Sequence, residues 1–249
     1  MSDYSLHDKV VLVTGAARRI GAAIVTRLHA EGASVAIHYR ASADAADALS
    51  ARLNGIRPDS ARTFACDLLQ TESLPRLVAD VVAWGGRLDI LINNASTFYP
   101  TPVGAITEAH WDDLVGSNFK APLFLTQAAA PALRAAHGSV VNIVDIHAQR
   151  PLREHPVYGP AKAALAMLTR SLAKDLAPEI RVNGVAPGAI LWPEDGINDA
   201  TRATILRQVP LGRPGEPGDI AACVLFLLRD APYVTGQIIA VDGGRSIGW

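Results

Sequence analysis

The sequence predicts an α/β fold: a doubly wound parallel sheet covered by helices on both faces, in a single domain over residues 1–249. Three observations carry that expectation. Short β-branched runs alternate with amphipathic stretches from end to end, as strands joined by crossover helices do. Several runs are apolar throughout rather than alternating, the pattern of strands buried on both faces. A chain of 249 residues suits one large domain, able to bury roughly 70–75% of its unfolded surface. No linker rich in Gly, Ser or Pro divides it.

Strands are expected at 10–13, 34–38, 62–65, 88–92, 140–144, 182–185 and 238–241. Helices are expected at 20–30, 44–53, 74–84, 111–135, 158–176 and 219–228. The first strand, Val10-Val11-Leu12-Val13, runs into Thr14-Gly15-Ala16-Ala17-Arg18-Arg19-Ile20-Gly21 and then a helical pattern. Gly15 permits a tight turn, Gly21 lets the helix approach the sheet, and the free N–H groups around Arg19 and Ile20 suit a pyrophosphate. That is the Rossmann-type arrangement for a dinucleotide.

The second strand ends His38-Tyr39-Arg40-Ala41-Ser42. An acidic residue here would grip a ribose 2′-OH, whereas Arg40 and Ser42 supply the cation and hydroxyl for a 2′-phosphate, so NADPH is favoured over NADH. Asp67 and Leu68 close the third strand, where they can meet the adenine edge. The fourth leads into Asn93-Asn94-Ala95-Ser96-Thr97-Phe98-Tyr99-Pro100, and the next helical stretch holds Asn118. After the fifth strand stands Asp145, thirteen positions before Tyr158, with Lys162 one turn further on the same helix face. Pro187-Gly188 follow the sixth strand, and Val241-Asp242-Gly243-Gly244 close the seventh. Residues 189–200 break the alternation just past a strand end, where open α/β sheets place ligands. They are the expected substrate loop, with Leu191 and Trp192 as contacts.

The chain is 49% hydrophobic and 19% charged, with net charge -1 and no basic stripe, so nucleic acid is not an expected partner. Cys66 and Cys223 form no CxxC, and buried thiols are expected. The N-terminus lacks a signal-like pattern, and the longest apolar stretch, 220–228, falls far short of the ~20 residues a membrane span needs. A soluble cytoplasmic protein without a metal centre is expected.

Together the segments 14–21, Asn93-Asn94-Ala95, Asn118, Tyr158 with Lys162, Pro187-Gly188, and 234–236 before 241–244 resemble the short-chain dehydrogenase/reductase family. The likeness spans nearly the whole chain. Four departures look like its pteridine reductase branch: Arg19 where the usual loop has its middle glycine, His38-Tyr39, the run 93–100, and Asp145 where a carbonyl reductase has serine. The resemblance implies NADPH-dependent reduction of pterins, with dihydrofolate as a further substrate, and a homotetramer. It assigns cofactor contacts to Gly15, Arg19, Ile20, His38, Tyr39, Arg40, Ser42, Asp67, Leu68, Asn94, Ala95, Ser96, Tyr158, Lys162, Pro187 and Gly188. Substrate contacts fall to Arg19, Ser96, Phe98, Asp145, Tyr158, Leu191 and Trp192. Phe98 would stack on a flat ring, and Asn118 would hold a water on a proton path behind Lys162. Tyr158 is implied in reduction at C7–N8, and Asp145 in reduction of the C6–N5 bond.

A cation about 4 Å from the Tyr158 phenol favours phenolate by up to ~4 kcal/mol at an effective dielectric near 20, which would draw the tyrosine toward the neutral range. An ordinary aspartate is ionised at pH 7, so proton delivery by Asp145 needs either an apolar ring and cofactor charge or a relay through water. Two other readings stay open: a carbonyl reductase in which Asp145 replaces serine, and a non-catalytic NADPH sensor.

Overall fold

The computed structural model describes residues 5–190 and 198–247. Seven parallel strands form one sheet in the order β3-β2-β1-β4-β5-β6-β7. They are β1 (Val10–Val13), β2 (Ser34–Tyr39), β3 (Ala61–Ala65), β4 (Ile90–Asn93), β5 (Ser139–Ile143), β6 (Arg181–Pro187) and β7 (Ile238–Val241). The helices are α1 (Arg19–Ala30), α2 (Ala43–Asn54), α3 (Leu74–Gly85), α4 (Glu108–Val115), α5 (Ala121–Ala135), α6 (Tyr158–Asp175), α7 (Asp199–Arg207) and α8 (Pro217–Leu225).

Alternate residues of the central strands serve opposite cores. Val11, Val13, Ile90, Ile92 and Val141 pack with Ile24, Leu28, Leu53, Ile220 and Val224 of α1, α2 and α8. Val10, Leu12, Leu91 and Val140 pack with Leu74, Val81, Leu125 and Leu133 of α3 and α5. Burial on both faces explains why these strands read as unbroken apolar runs. Strand order reverses between β1 and β4, so the crossovers diverge there and leave a crevice at the carboxyl ends of the strands.

One expectation about elements is corrected. The helix expected at 111–135 starts earlier, at Glu108, where Thr107 accepts from the His110 N–H in a capping box. It then passes through a π-helical turn, Gly116–Lys120, before α5. Of the substrate loop expected at 189–200, residues 191–197, including Leu191 and Trp192, lie outside the described residues. Its last residues begin α7, capped by Asn198. No residue of α7 is buried, so it has no apolar face to announce it in the sequence.

Candidate active site

The crevice holds a cavity of about 420 Å³ lined from four strand ends. From β1 come Gly15, Arg18, Arg19 and Ile20; from β2, His38, Tyr39, Arg40 and Ser42; beyond β3, Asp67 and Leu68; and from β4, Asn94, Ala95 and Ser96. Twelve of these thirteen residues are singled out in the sequence, and Arg18 is read there only as part of the loop.

The loop after β1 is held by bonds to its neighbours. Thr14 Oγ1 accepts from the Asn94 and Ala95 N–H groups at 2.9 and 3.0 Å, and Asn94 Nδ2 donates to the Thr14 and Gly15 carbonyls. Gly15 adopts φ +59°, and a Cβ there would meet Ala95 Cα at 2.9 Å. Gly21 is equally constrained, since a Cβ would press into the Gly15 carbonyl and lie 2.8 Å from Ala16 Cα. Arg19 takes φ +54°, the left-handed region that glycine occupies without a steric cost. The backbone of this loop therefore keeps a glycine's conformation while presenting an exposed guanidinium. The first turn of α1 carries no acidic side chain and no side-chain cap, which leaves its N–H groups for an anion.

His38 does its work from beneath. Its Nδ1 accepts from the Gly15 N–H at 3.1 Å, while Nε2 pairs with the Cys66 carbonyl at 3.0 Å. Burial lowers its pKa to about 4, against opposing pulls from the Cys66 carbonyl and Asp67. A neutral imidazole thus pins the phosphate loop to β3. Arg40 is more than half exposed and stands 4.0 Å from Asp113 of α4.

The proton-handling groups lie on the other side of the crevice. Beyond the end of β5, Asp145 caps a 3-10 turn, Ile146–Ala148, accepting from the His147 N–H at 2.8 Å on Oδ1. Its Oδ2 accepts from Tyr158 OH at 2.7 Å. Lys162 is buried, its Nζ donating to the Ile143 carbonyl at 2.9 Å and lying 5.8 Å from the Tyr158 ring centroid. Burial pulls Lys162 down to about 8, with Asp145 opposing. Tyr158 moves the other way. Burial pushes its phenol well above the usual tyrosine range, and the charge and hydrogen bond of Asp145 add to this, with Ser96 opposing. The expected phenolate is corrected: burial of the hydroxyl, and then Asp145 beside it, disfavour the phenolate, so the phenol keeps its proton.

Phe98 is 53% exposed. It meets Tyr158 edge-on, with centroids 4.8 Å apart, and its plane lies within 17° of the His155 ring at 4.7 Å. His155, read from the sequence as a helix-entry or surface residue, is therefore part of the wall. Its spacing, three residues before Tyr158, was the available signal.

Asn118 is fully buried in the π-helical turn. Its amide donates to the Thr97 and Leu114 carbonyls, and its Oδ1 accepts from Ser96 at 2.7 Å. Those bonds fix the loop that carries Phe98. Pro187 ends β6, and Gly188 donates to the Val241 carbonyl so closely that a Cβ would lie 2.7 Å from Asp242 Cα. Arg245 was not singled out in the sequence. Burial lowers its guanidinium, and the charges of Asp145 and Asp242 oppose that.

This arrangement sets a crevice at the strand ends beside a tyrosine, a lysine and an acid. Residues 15–246 match the family model described as Enoyl-(Acyl carrier protein) reductase. The chain belongs to the short-chain dehydrogenase/reductase family and is an oxidoreductase of that class. It is 39% identical to Pteridine reductase 1 of Leishmania tarentolae over 96% of each chain. It is also 38% identical to an uncharacterized oxidoreductase of Mycobacterium tuberculosis, covering 97% of this chain and 93% of the other. A 3-oxoacyl-(acyl-carrier-protein) reductase of Staphylococcus aureus is 35% identical over 95% and 97%.

Proposed function

We propose that this protein is an NADPH-dependent pteridine reductase that reduces C=N bonds of dihydrobiopterin-type pterins, and of dihydrofolate. The observation that carries the reading is the 2.7 Å bond from Tyr158 OH to Asp145 Oδ2. A carboxyl group in that place can take up a proton and pass it to a ring nitrogen, whereas a ketone needs only a neutral donor. When bound, the nicotinamide supplies the hydride. Arg18, Arg19 and the α1 N-terminus would hold its pyrophosphate, Arg40 and Ser42 its 2′-phosphate, and Asp67 and Leu68 its adenine.

Each remaining group has a role in this reading. Tyr158 stores the proton, since burial and Asp145 hold its phenol protonated through the neutral range. Asp145 shares that proton across a short bond and stands in a position to relay it. Lys162 fixes the end of β5 through Ile143 and supplies positive charge beside the pair. The exposed face of Phe98 offers a flat ring a stacking surface worth roughly 0.5–1.5 kcal/mol beyond burial. A cytoplasmic homotetramer belongs to the same proposal. Among the described residues, no helix is long and apolar enough to cross a membrane.

Ketone reduction is the second reading, favoured by the 35% identity to a 3-oxoacyl reductase. One assay separates them. NADPH oxidation is followed with dihydrobiopterin, dihydrofolate and a ketone panel, for wild type and Asp145→Ser. Pterin turnover that falls about 10²-fold in the serine variant is the expected result. Turnover of ketones alone, or pterin turnover indifferent to the serine, sinks the proposal.

A further inference from the structure

One acid beside the crevice has no part in the reaction above. Asp113 lies on α4 with a side chain 28% exposed, and its two carboxylate oxygens look in different directions. Oδ1 stands 4.0 Å from the Arg40 guanidinium. Oδ2 accepts from Tyr99 OH at 3.0 Å. The Asp113 carbonyl accepts from Ser117 Oγ at 2.7 Å and from Thr97 Oγ1 at 3.4 Å. Burial and Asp113 both raise the Tyr99 phenol, so it remains a donor. These bonds hold the carboxylate in place behind Arg40.

We infer that Asp113 is a specificity-determining residue: a fixed negative charge that competes with the cofactor's 2′-phosphate for Arg40 and so tempers the preference for NADPH. The inference rests on the reading of Arg40 as the 2′-phosphate partner. NADPH carries a phosphate close to dianionic at pH 7, whereas NADH carries a neutral hydroxyl at that position. A carboxylate 4.0 Å behind the guanidinium offsets part of the positive charge that it offers the phosphate. It leaves the hydroxyl unaffected. The penalty therefore falls on one cofactor alone, which a merely structural role for Asp113 would not produce. Both side chains are partly exposed, so the effect is modest, about two- to fivefold in affinity.

The test measures dissociation constants of NADPH and NADH for the full chain by quenching of tryptophan emission, with no need for a substrate. Asp113→Asn keeps an acceptor for Tyr99 and removes only the charge. NADPH should bind about two- to fivefold more tightly, NADH should be unchanged, and the gain should shrink as salt is raised. Arg40→Ala should lower the NADPH preference, and Asp113→Asn added to it should give no further gain. Unchanged or weaker NADPH binding in Asp113→Asn overturns the inference, as does an equal effect on both cofactors. If Arg40→Ala leaves the NADPH to NADH ratio at its wild-type value, the role of Arg40 falls, and this inference with it. If Arg40→Ala shifts the ratio and Asp113→Asn does not, only the role of Asp113 falls.

Discussion

The two sides of the crevice work by different physics. On the side proposed to hold phosphate, at the ends of β1 and β2, the groups open to a ligand are backbone N–H groups and exposed arginines. The one titratable ring beneath them, His38, is buried and neutral with a pKa of about 4. On the side proposed to handle protons, beyond β5 and on α6, the side chains are buried and displaced in opposite directions. Tyr158 is pushed up and Lys162 down to about 8. Shape carries the first side, and it should tolerate changes of charge. Protonation carries the second, and it should not. Each prediction below strains that division at one point.

The largest effect is expected from Tyr158→Phe. Only the hydroxyl is lost, and with it the stored proton and the donor to Asp145, so turnover should fall by about 10²–10⁴-fold. The phosphate side lies beyond that change, and NADPH affinity measured by titration should stay close to wild type. A variant with normal kcat would end the assignment. One that lost cofactor affinity as well would show that the two sides are not separable.

His38 tests the other side. Its folded pKa of about 4 lies below the 6.5 of an ordinary histidine, so between those values the unfolded chain binds more protons than the native one. Stability is therefore fully present above about 6.5 and is lost as pH falls toward 4, by on the order of 3 kcal/mol once both states are protonated. His29, lowered chiefly by burial, contributes in the same sense. The difference between wild type and His38→Asn isolates the loop histidine. Urea unfolding at pH 7, 5.5 and 4.5 should show a shallower acid decline in the variant, and identical slopes would refute the pinning role.

Much of this was legible in the sequence because backbone chemistry leaves a signature in residue type. Gly15 and Gly21 mark positions where a side chain collides with Ala95 or the loop itself, and unbroken apolar runs mark strands covered twice. Asp145 and Tyr158 were legible as a pair from their spacing. What spacing does not give is direction. The phenol was expected to lose its proton to the field of Lys162, but the lysine is turned to the Ile143 carbonyl, and burial and the acid disfavour the phenolate. Asn118 was visible as a motif, yet only the π-helical turn aims its amide at Thr97. Exposed α7 offered no periodicity to read. The stack of His155 on Phe98 depends on a loop path that no local pattern encodes.

Lys162 should separate activity from stability. Burial places its pKa at about 8, below the 10.5 of an ordinary lysine. Above 8 the native chain releases a proton that the unfolded chain still holds, so stability from this group rises between about 8 and 10.5. The positive charge beside Tyr158 disappears over the same interval. The kcat/KM of the free enzyme should thus decline about tenfold per pH unit above 8, while the unfolding midpoint does not fall on account of this residue. Lys162→Arg keeps the charge and should flatten that limb, whatever its absolute rate. A limb that persists in the arginine variant belongs to another group.

The smallest effect is expected at the rim, from Arg40→Asp. Because the arginine is more than half exposed, solvent and salt screen its charge, and its reversal should move the NADPH to NADH affinity ratio by less than about tenfold. The sign is fixed: a carboxylate repels the 2′-phosphate and can accept from a ribose hydroxyl, so the ratio must move toward NADH. Turnover at saturating cofactor should be unchanged, since Tyr158 and Asp145 lie across the crevice. A fall in kcat at saturation would mean that the charged rim reaches the proton side, and the division between shape and protonation would have to be redrawn around Asp113, the residue that touches both Arg40 and the Phe98 loop.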